Sequence, residues 1–288
     1  MDQVVIVLLQ LALTIANLIL ISMGLAIIFG MMRVINFAHG EFLMLGGYAA
    51  LVSNRAGLNL WLAIFVVAPV IVGLIGVVIE RLVIRRLYGR MIDTMLATWG
   101  ISLALIGLVT VFFGNTVSGI SPPLGSFEVG RYAIGRYELL LVVVAAALVV
   151  GGWLVLSKTK LGLVARGTMQ NRAMAASLGI NPNKVYAVTF AVGAAVTGLA
   201  GALIVPITGV VPSIGAAYIA KAFITVISGG AAILAGTVSA ASLLGGVNTL
   251  FSFALSPVLG EVALLAAAVV LLRLLPEGIT GRFFKRSL

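Results

Sequence analysis

The sequence predicts a polytopic α-helical membrane protein, and two observations carry that prediction. Of the 288 residues, 62% are hydrophobic and only 9% are charged, whereas a soluble domain carries roughly 25% charged residues. The apolar residues also form continuous runs, unlike the alternating pattern of a transmembrane β-barrel. Runs of this kind indicate helices that cross the bilayer, because a helix pairs all of its backbone polar groups internally.

The apolar runs divide the chain into nine candidate spans, within a range of eight to ten, and form one transmembrane domain over residues 1–288. Two spans are short. The second gives about 24 Å of helix against ~30 Å of hydrocarbon, and the seventh runs into Gly229 and Gly230, a natural break. These two segments are therefore thin spans or parts of discontinuous helices. The nine segments are 4–29, 38–53, 60–79, 94–113, 139–156, 185–205, 216–228, 231–253 and 258–275.

The distribution of basic residues predicts the orientation of the chain. Cytoplasmic loops of membrane proteins carry an excess of Lys and Arg, and 14 of the 18 basic residues here fall in loops and a tail on one side. We therefore expect the N-terminus outside and the C-terminus in the cytoplasm. The other side holds Arg55, Arg131 and Arg136. The 14 are Arg33, Arg81, Arg85, Arg86, Arg90, Lys158, Lys160, Arg166, Arg172, Lys184, Arg273, Arg282, Lys285 and Arg286.

Residues 157–184 form the longest segment that is too polar for lipid, and we expect a cytoplasmic loop there. Within it, the segment 171–178 is rich in good helix formers. Asn171 is a plausible N-cap, Gly179 stands where a C-terminal glycine belongs, and Pro182 cannot continue a helix. The pattern predicts a helix of about two turns. It suits either docking into a partner's groove or an ordinary surface helix on a basic loop.

A polar interruption lies between the first two spans. Asn36, His39 and Glu41 stand at a helix start near membrane depth, where ionisable groups usually face a cavity or a partner. The alternative is structural: Asn36 or His39 satisfies free backbone N–H groups, and Glu41 favours the helix N-terminus. The pattern favours this capping role. One His and one nearby Glu are too few ligands for a metal site.

Several absences argue against an enzyme. The chain has no cysteine, so thiolate metal sites and disulfides are excluded. Gly162 and Gly167 have the spacing of a phosphate loop, but Thr168 and Met169 follow where Lys and Ser or Thr are needed. The net charge of +10 comes from basic residues in loops that flank the spans. We interpret these residues as a signal of membrane topology and expect no nucleic-acid partner.

Lys221 and Glu261 are the remaining charges within apolar runs. They could pair with each other, line a cavity, or reach the membrane interface by extending their side chains. Glu261 is near the end of its predicted span, which favours the interface for that residue.

Three stretches of sequence resemble a known family. They are V-I-N-F-A-H-G-E-F-L-M-L-G-G-Y at 34–48, L-A-T-W-G-I-S-L at 96–103, and Q-N-R-A-M-A-A-S-L-G-I at 170–180 followed by T-F-A-V-G-A-A-V-T-G-L-A-G at 189–201. Together they are similar to permeases of ABC importers for branched-chain amino acids and for urea or short-chain amides. The likeness covers nearly the whole chain. The sequences of residues 98–100 and 170–180 are slightly more similar to those of the urea and amide members.

The resemblance implies a transport subunit of a bacterial inner membrane, surrounded by lipid, that binds no cofactor itself. Its implied partners are a homologous second permease, two ATPase subunits that use ATP, and a periplasmic substrate-binding protein. It also implies that the helix in 157–184 is the coupling helix that docks on an ATPase. The residues expected to couple are Arg166, Asn171, Arg172, Ala175, Leu178, Gly179 and Ile180.

Two other functions remain alternatives to a passive translocation subunit. A stand-alone channel or secondary transporter would need its own coupling-ion site, usually an acidic residue at the midplane. A membrane-embedded enzyme is the third alternative, and the sequence shows no catalytic constellation for it.

The translocation pathway is expected to have small or apolar walls with few charges, because weak sites allow release of the solute. We expect the second, fourth and seventh segments to form it, with the segments 38–48 and 216–230 approaching each other near the midplane. The candidate polar residues of the lining are Tyr48, Thr98, Ser102, Thr225 and Ser228.

Overall fold

The computed structural model describes residues 2–129 and 132–284, and that part of the chain is mostly helical, as predicted. Arg131, Lys285 and Arg286, which entered the charge argument, lie outside the described residues. The helices are α1 (Asp2–Met32), α2 (His39–Arg55), α3 (Leu60–Leu62), α4 (Ala68–Leu82), α5 (Met91–Phe113), α6 (Arg136–Lys158), α7 (Lys160–Gln170), α8 (Arg172–Ser177), α9 (Pro182–Thr208), α10 (Ile214–Gly229), α11 (Ile233–Ala254), α12 (Pro257–Leu274) and α13 (Gly278–Phe284).

Seven helical stretches in the described residues are long and apolar enough to cross a membrane. They correspond to seven of the nine predicted spans. The two short predicted segments are α2 and α10, with 17 and 16 residues. Length and composition therefore support seven spans, and the count of nine and the orientation stay predictions. The seven are Gln3–Met32, Leu60–Leu82, Met91–Phe113, Arg136–Lys158, Pro182–Thr208, Ile233–Ala254 and Pro257–Gly281.

Three local features differ from the sequence-based prediction. The expected all-α fold contains a small antiparallel hairpin, β1 (Ser126–Val129) with β2 (Tyr132–Gly135), inside the predicted loop. The third span contains a π-helical stretch, Ala63–Val67, between α3 and α4. Residues 160–170, expected to be loop, form α7, because the side chain of Thr159 accepts a hydrogen bond from the N–H of Gly162 and caps it.

Although one domain was expected, the chain divides into two compact units. One comprises residues 23–121 and 151–220, and the other residues 1–22, 122–150 and 221–288. In the first unit, α2 packs against α9 and α4. The α2–α9 contact depends on glycine: a Cβ atom on Gly46 would collide with the carbonyl oxygen of Gly198, and one on Gly201 with that of Leu43. Missing side chains thus let the two backbones touch.

Most residues of α2 are buried in this first unit. Met44, Tyr48 and Leu51 of α2 join Val109 of α5 in a hydrophobic cluster with Val205 and Val210. A helix enclosed by protein needs no continuous apolar surface, which explains why α2 is less apolar than the long spans.

The second unit is built on the packing of α11 with α12 and of α11 with α13. The predicted break at Gly229 and Gly230 is confirmed, since α10 ends at Gly229 and Gly230 has a φ of +82°. The hydroxyl of Thr280 fixes this break. It donates a hydrogen bond of 2.5 Å to the carbonyl of Gly229 and accepts one of 3.0 Å from the N–H of Ala232.

Candidate functional site

The short helix α8 has the caps that the sequence predicted. Asn171 is extended and its Oδ1 accepts a hydrogen bond of 2.9 Å from the N–H of Met174. At the other end Gly179 has a φ of +82°. The N–H groups of Gly179 and Ile180 donate to the carbonyls of Ala176 and Ala175, which closes the helix. Both ends of α8 are therefore fixed by local chemistry.

We expect Asn171→Ala to loosen this helix. Loss of an N-cap side chain costs about 1 kcal/mol, and a helix of six residues has little stability of its own. Amide hydrogen exchange of residues 172–178 should therefore accelerate about fivefold, while exchange in α9 stays unchanged. Asn171→Ser, which keeps an N-capping oxygen, is the matched control and should retain most of the protection.

Part of the exposed surface of α8 and its C-cap is apolar, although Arg172 and Ser177 are exposed as well. Met174 and Leu178, four residues apart, are 58% and 74% exposed, and side chains at this spacing lie on one face of a helix. Ala175 is buried, so it anchors α8 to the protein. The expected part of Ala175 in coupling to an ATPase stays a prediction.

Arg172, the first residue of α8, lies against two aromatic rings that contact each other. Its guanidinium carbon lies 5.6 Å from the ring centre of Tyr88 and 5.5 Å from that of Tyr186 in α9. One of its N–H groups also donates a hydrogen bond of 2.9 Å to Oδ1 of Asn183. Both ring distances are within the range of cation–π attraction. Arg166, in contrast, reaches back along α7 to the carbonyl of Gly162.

Glu80, near the end of α4, holds the first of these rings in place. Its side chain is fully buried and accepts hydrogen bonds of 3.2 and 3.0 Å from Arg85. It also accepts a hydrogen bond from the hydroxyl of Tyr88. Burial, and then the bond to Glu80, raise the pKa of Tyr88, so the phenol keeps the proton that it donates.

Sequence analysis missed this cluster, because Glu80 was counted within a basic loop. A usable signal was present. Glu80 is the one carboxylate directly after the third apolar run, and four arginines and a tyrosine follow it within ten residues. A lone acid among bases at a span end predicts a buried ion pair.

The polar interruption before α2 is a network that reaches two other helices. Oδ1 of Asn36 accepts a hydrogen bond of 3.0 Å from the N–H of Ala38, and Glu41 accepts from the hydroxyl of Ser102 and from its own N–H. Asn36 thus satisfies a backbone N–H group, and the capping role of Glu41 stays a prediction. The ring Nδ1 of His39 lies 3.4 Å from Oγ1 of Thr197 in α9.

The five residues predicted to line the pathway are all buried. Thr98 instead supports the start of α2, since its Oγ1 accepts a hydrogen bond of 3.0 Å from the N–H of Phe37. Ser102, one turn further along α5, contacts Glu41. Burial in a single chain does not test a lining role, which stays a prediction for all five residues.

Lys221 and Glu261 pair with each other. Nζ of Lys221 lies 2.6 Å from Oε1 of Glu261, which joins α10 to α12 within the second unit. Of the alternatives that the sequence left open, pairing is the one that the structure shows.

Comparison with known proteins places these features in a family. Residues 7–275 match the sequence profile of the branched-chain amino acid transport system permease component. The high-affinity branched-chain amino acid transport system permease protein BraD of Pseudomonas aeruginosa is 30% identical over 280 residues, which cover 91% of each chain. LivH of Escherichia coli K12, a permease of the same description, is 29% identical over 283 residues and 91% of each chain.

A probable branched-chain amino acid transport permease, LivH of Methanocaldococcus jannaschii, is 28% identical over 93% of this chain and 90% of its own. No solved structure matches the chain significantly. With seven apolar helices of spanning length in the part of the chain that the structure describes, this is a multi-pass inner-membrane protein. A match over nearly its whole length shows that the chain belongs to the permease-component family of the branched-chain amino acid transport systems.

Proposed function

We propose that this chain is a translocation subunit of an ABC importer for branched-chain amino acids. Separate ATPase subunits drive it, a homologous second permease completes the pathway, and a periplasmic binding protein delivers the substrate. The observation that carries the proposal is α8, a capped helix with an exposed apolar face, in a chain of a permease family.

The exposed face of α8 is the proposed contact with an ATPase. Met174 and Leu178 offer flexible apolar side chains, which suit insertion into a groove. The excess of Lys and Arg in 157–184 supports a cytoplasmic location for this segment, which is where ATP is available.

The substrate class rests on the relatives. BraD and both LivH proteins are named as branched-chain amino acid permeases. None of these three relatives is named as a permease for urea or short amides, the substrates that the sequence motifs slightly favour. Branched-chain amino acids are zwitterions with apolar side chains. Walls with few charges suit such a solute, because they do not trap it.

The start of α2 is the proposed constriction of the pathway. A Cβ atom on Gly40 of α2 would lie 2.5 Å from the carbonyl oxygen of Gly215 in α10, so the two helix starts touch. This contact, one residue before the segment 216–230, supports the proposed approach of that segment to the segment 38–48. Opening at this contact would expose the polar residues of α2 and α5 that the sequence assigned to the lining.

Reconstitution tests the proposal. Proteoliposomes that contain this chain, its second permease and the ATPases should take up labelled leucine only with ATP and the binding protein. Labelled urea and acetamide, added in parallel, should not accumulate. Uptake by this chain alone, without ATPases, would instead identify a stand-alone channel or secondary transporter, and ATP-driven uptake of urea would overturn the substrate assignment.

We expect Glu41→Gln to slow uptake modestly, about two- to fivefold, without changing which solute is carried. The amide still accepts a hydrogen bond from Ser102, so only the charge-assisted part of that contact is lost. Uptake of leucine, valine and urea by the same proteoliposomes checks this, with Ser102→Ala as the variant that removes the other partner. A clean switch of substrate preference would identify Glu41 as a selectivity residue.

A further inference from the structure

Three elements meet at Arg172, and their meeting point suggests how α8 acts on the membrane spans. The residue opens α8, while its contacts belong to the segment after α4 and to the start of α9. A helix of six residues has little stability of its own and does not fix its own orientation. Its orientation is therefore set by what it touches, and Arg172 is its one charged contact with those two elements among the described residues.

The rings that hold Arg172 are themselves fixed. Tyr88 and Tyr186 lie edge to face with 5.0 Å between ring centres. The hydroxyl of Tyr88 donates a hydrogen bond to the fully buried carboxylate of Glu80, which also accepts hydrogen bonds from two N–H groups of Arg85. A buried carboxylate with three donors has little freedom to move, because each lost bond leaves charge desolvated. Glu80 thereby positions the ring of Tyr88.

The spans behind these rings pack closely. A Cβ atom on Gly76 of α4 would lie 2.6 Å from Cβ of Ala194 in α9, and one on Gly73 would lie 3.2 Å from that of Ala195. Close-packed interfaces shift as units and do not deform continuously. A displacement of the rings therefore moves α4 and α9 together.

We propose that Arg172, with Tyr88, Tyr186 and the buried carboxylate of Glu80, forms a clamp that transmits movement of α8 to the paired spans α4 and α9. Arg172 and Glu80 are positioning residues in this role, since neither needs to touch the substrate. The inference rests on the proposed function, in which α8 receives the movement of an ATPase.

Because Arg172 is exposed, a direct contact with the ATPase is the competing explanation of any defect. The two explanations differ in their partners. A clamp makes Arg172 and Tyr186 act as one unit, so removing both should cost no more than removing Arg172 alone. A direct contact makes the two losses independent.

The first measurement uses the chain in detergent and needs no substrate. In Arg172→Gln and Tyr186→Leu, amide exchange at residues 174–180 should accelerate by roughly fivefold, which corresponds to the free energy of one or two exposed cation–π contacts. Lys184→Ala is the matched control. It removes an exposed cation from the first turn of α9 and should leave exchange in α8 unchanged. Unchanged exchange in Arg172→Gln would overturn the clamp.

The second measurement uses the complete importer in proteoliposomes. Leucine taken up per ATP hydrolysed should fall roughly tenfold in Arg172→Gln, with the ATPases still bound, and no further in the double variant with Tyr186→Leu. Glu80→Gln and Tyr88→Phe should each reduce uptake per ATP by a smaller factor. If the Glu80→Gln protein does not accumulate in the membrane, Tyr88→Phe alone tests the contact between these two residues. Tyr186→Phe keeps its ring and should behave as wild type.

Two outcomes would overturn transmission by the clamp. Losses that multiply in the double variant, or ATPase subunits that dissociate from Arg172→Gln alone, would show that Arg172 contacts the ATPase directly. Failure of the proposed function is a separate result, because the wild-type complex would then show no ATP-driven uptake while the exchange measurement still tests the clamp.

Discussion

Replacing Gly201 with valine is expected to prevent stable folding of this chain. The side chain would enter the space occupied by the backbone carbonyl of Leu43 in α2. Backbone cannot rotate away as a flexible side chain does, so α2 and α9 must separate. We expect a loss of about 3 kcal/mol or more, the upper range for overpacking, seen as a lower melting temperature and poor yield in detergent.

Gly100→Val is the matched control for this prediction. Gly100 also lies within a helix, α5, but a Cβ atom there would meet nothing within 4 Å. Its melting temperature should stay within a few degrees of wild type, because only intrinsic helix propensity changes. Equal behaviour of the two variants would mean that close α2–α9 packing does not limit stability.

Replacing Gly179 with valine is expected to abolish most transport while the protein still inserts. Gly179 has a φ of +82°, a conformation that costs an L-residue about 1–2 kcal/mol, and more when the residue is β-branched. The end of α8 should be displaced, and Leu178 with it. We expect ATPase subunits to co-purify weakly, and substrate-stimulated ATP hydrolysis and leucine uptake to fall roughly tenfold.

Gly167→Val provides the comparison. Gly167 lies inside α7 in the same polar segment, and a Cβ atom added there would also meet nothing within 4 Å. That variant should keep uptake within about twofold of wild type, because helix propensity alone changes there. If Gly179→Val binds its ATPases normally and hydrolysis is unchanged, α8 is not the transmission element.

Local chemistry explains what could be predicted. The caps of α8 were predictable because Asn171 and Gly179 act on backbone groups two to four residues away. The break after α10 was predictable for the same reason, since Gly230 requires a positive φ. The hairpin was missed because its strands are four residues each, too short for their periodicity to show.

Contacts between distant residues explain what could not be predicted. Thr98 and Ser102 were assigned to a pathway because they share one helical face, and that face exists. In the structure this face packs against the start of α2. Phe37 and Thr98, which are joined there by a hydrogen bond, lie 61 residues apart in sequence. Spacing along one helix identifies a face but not its neighbour.

The sequence by itself determined the membrane class, the long apolar helices, the caps of α8 and the family, because each depends on composition, local backbone chemistry or sequence motifs. Only the tertiary structure decided that α2 is enclosed by protein, that Lys221 pairs with Glu261, and that Arg172 lies against Tyr88 and Tyr186, the first of which hydrogen-bonds to the buried Glu80. These contacts join residues 40, 84 and 14 positions apart, as for Lys221–Glu261, Tyr88–Arg172 and Arg172–Tyr186. Nothing in local pattern encodes which apolar faces meet, because burial is non-directional and packing selects the partner.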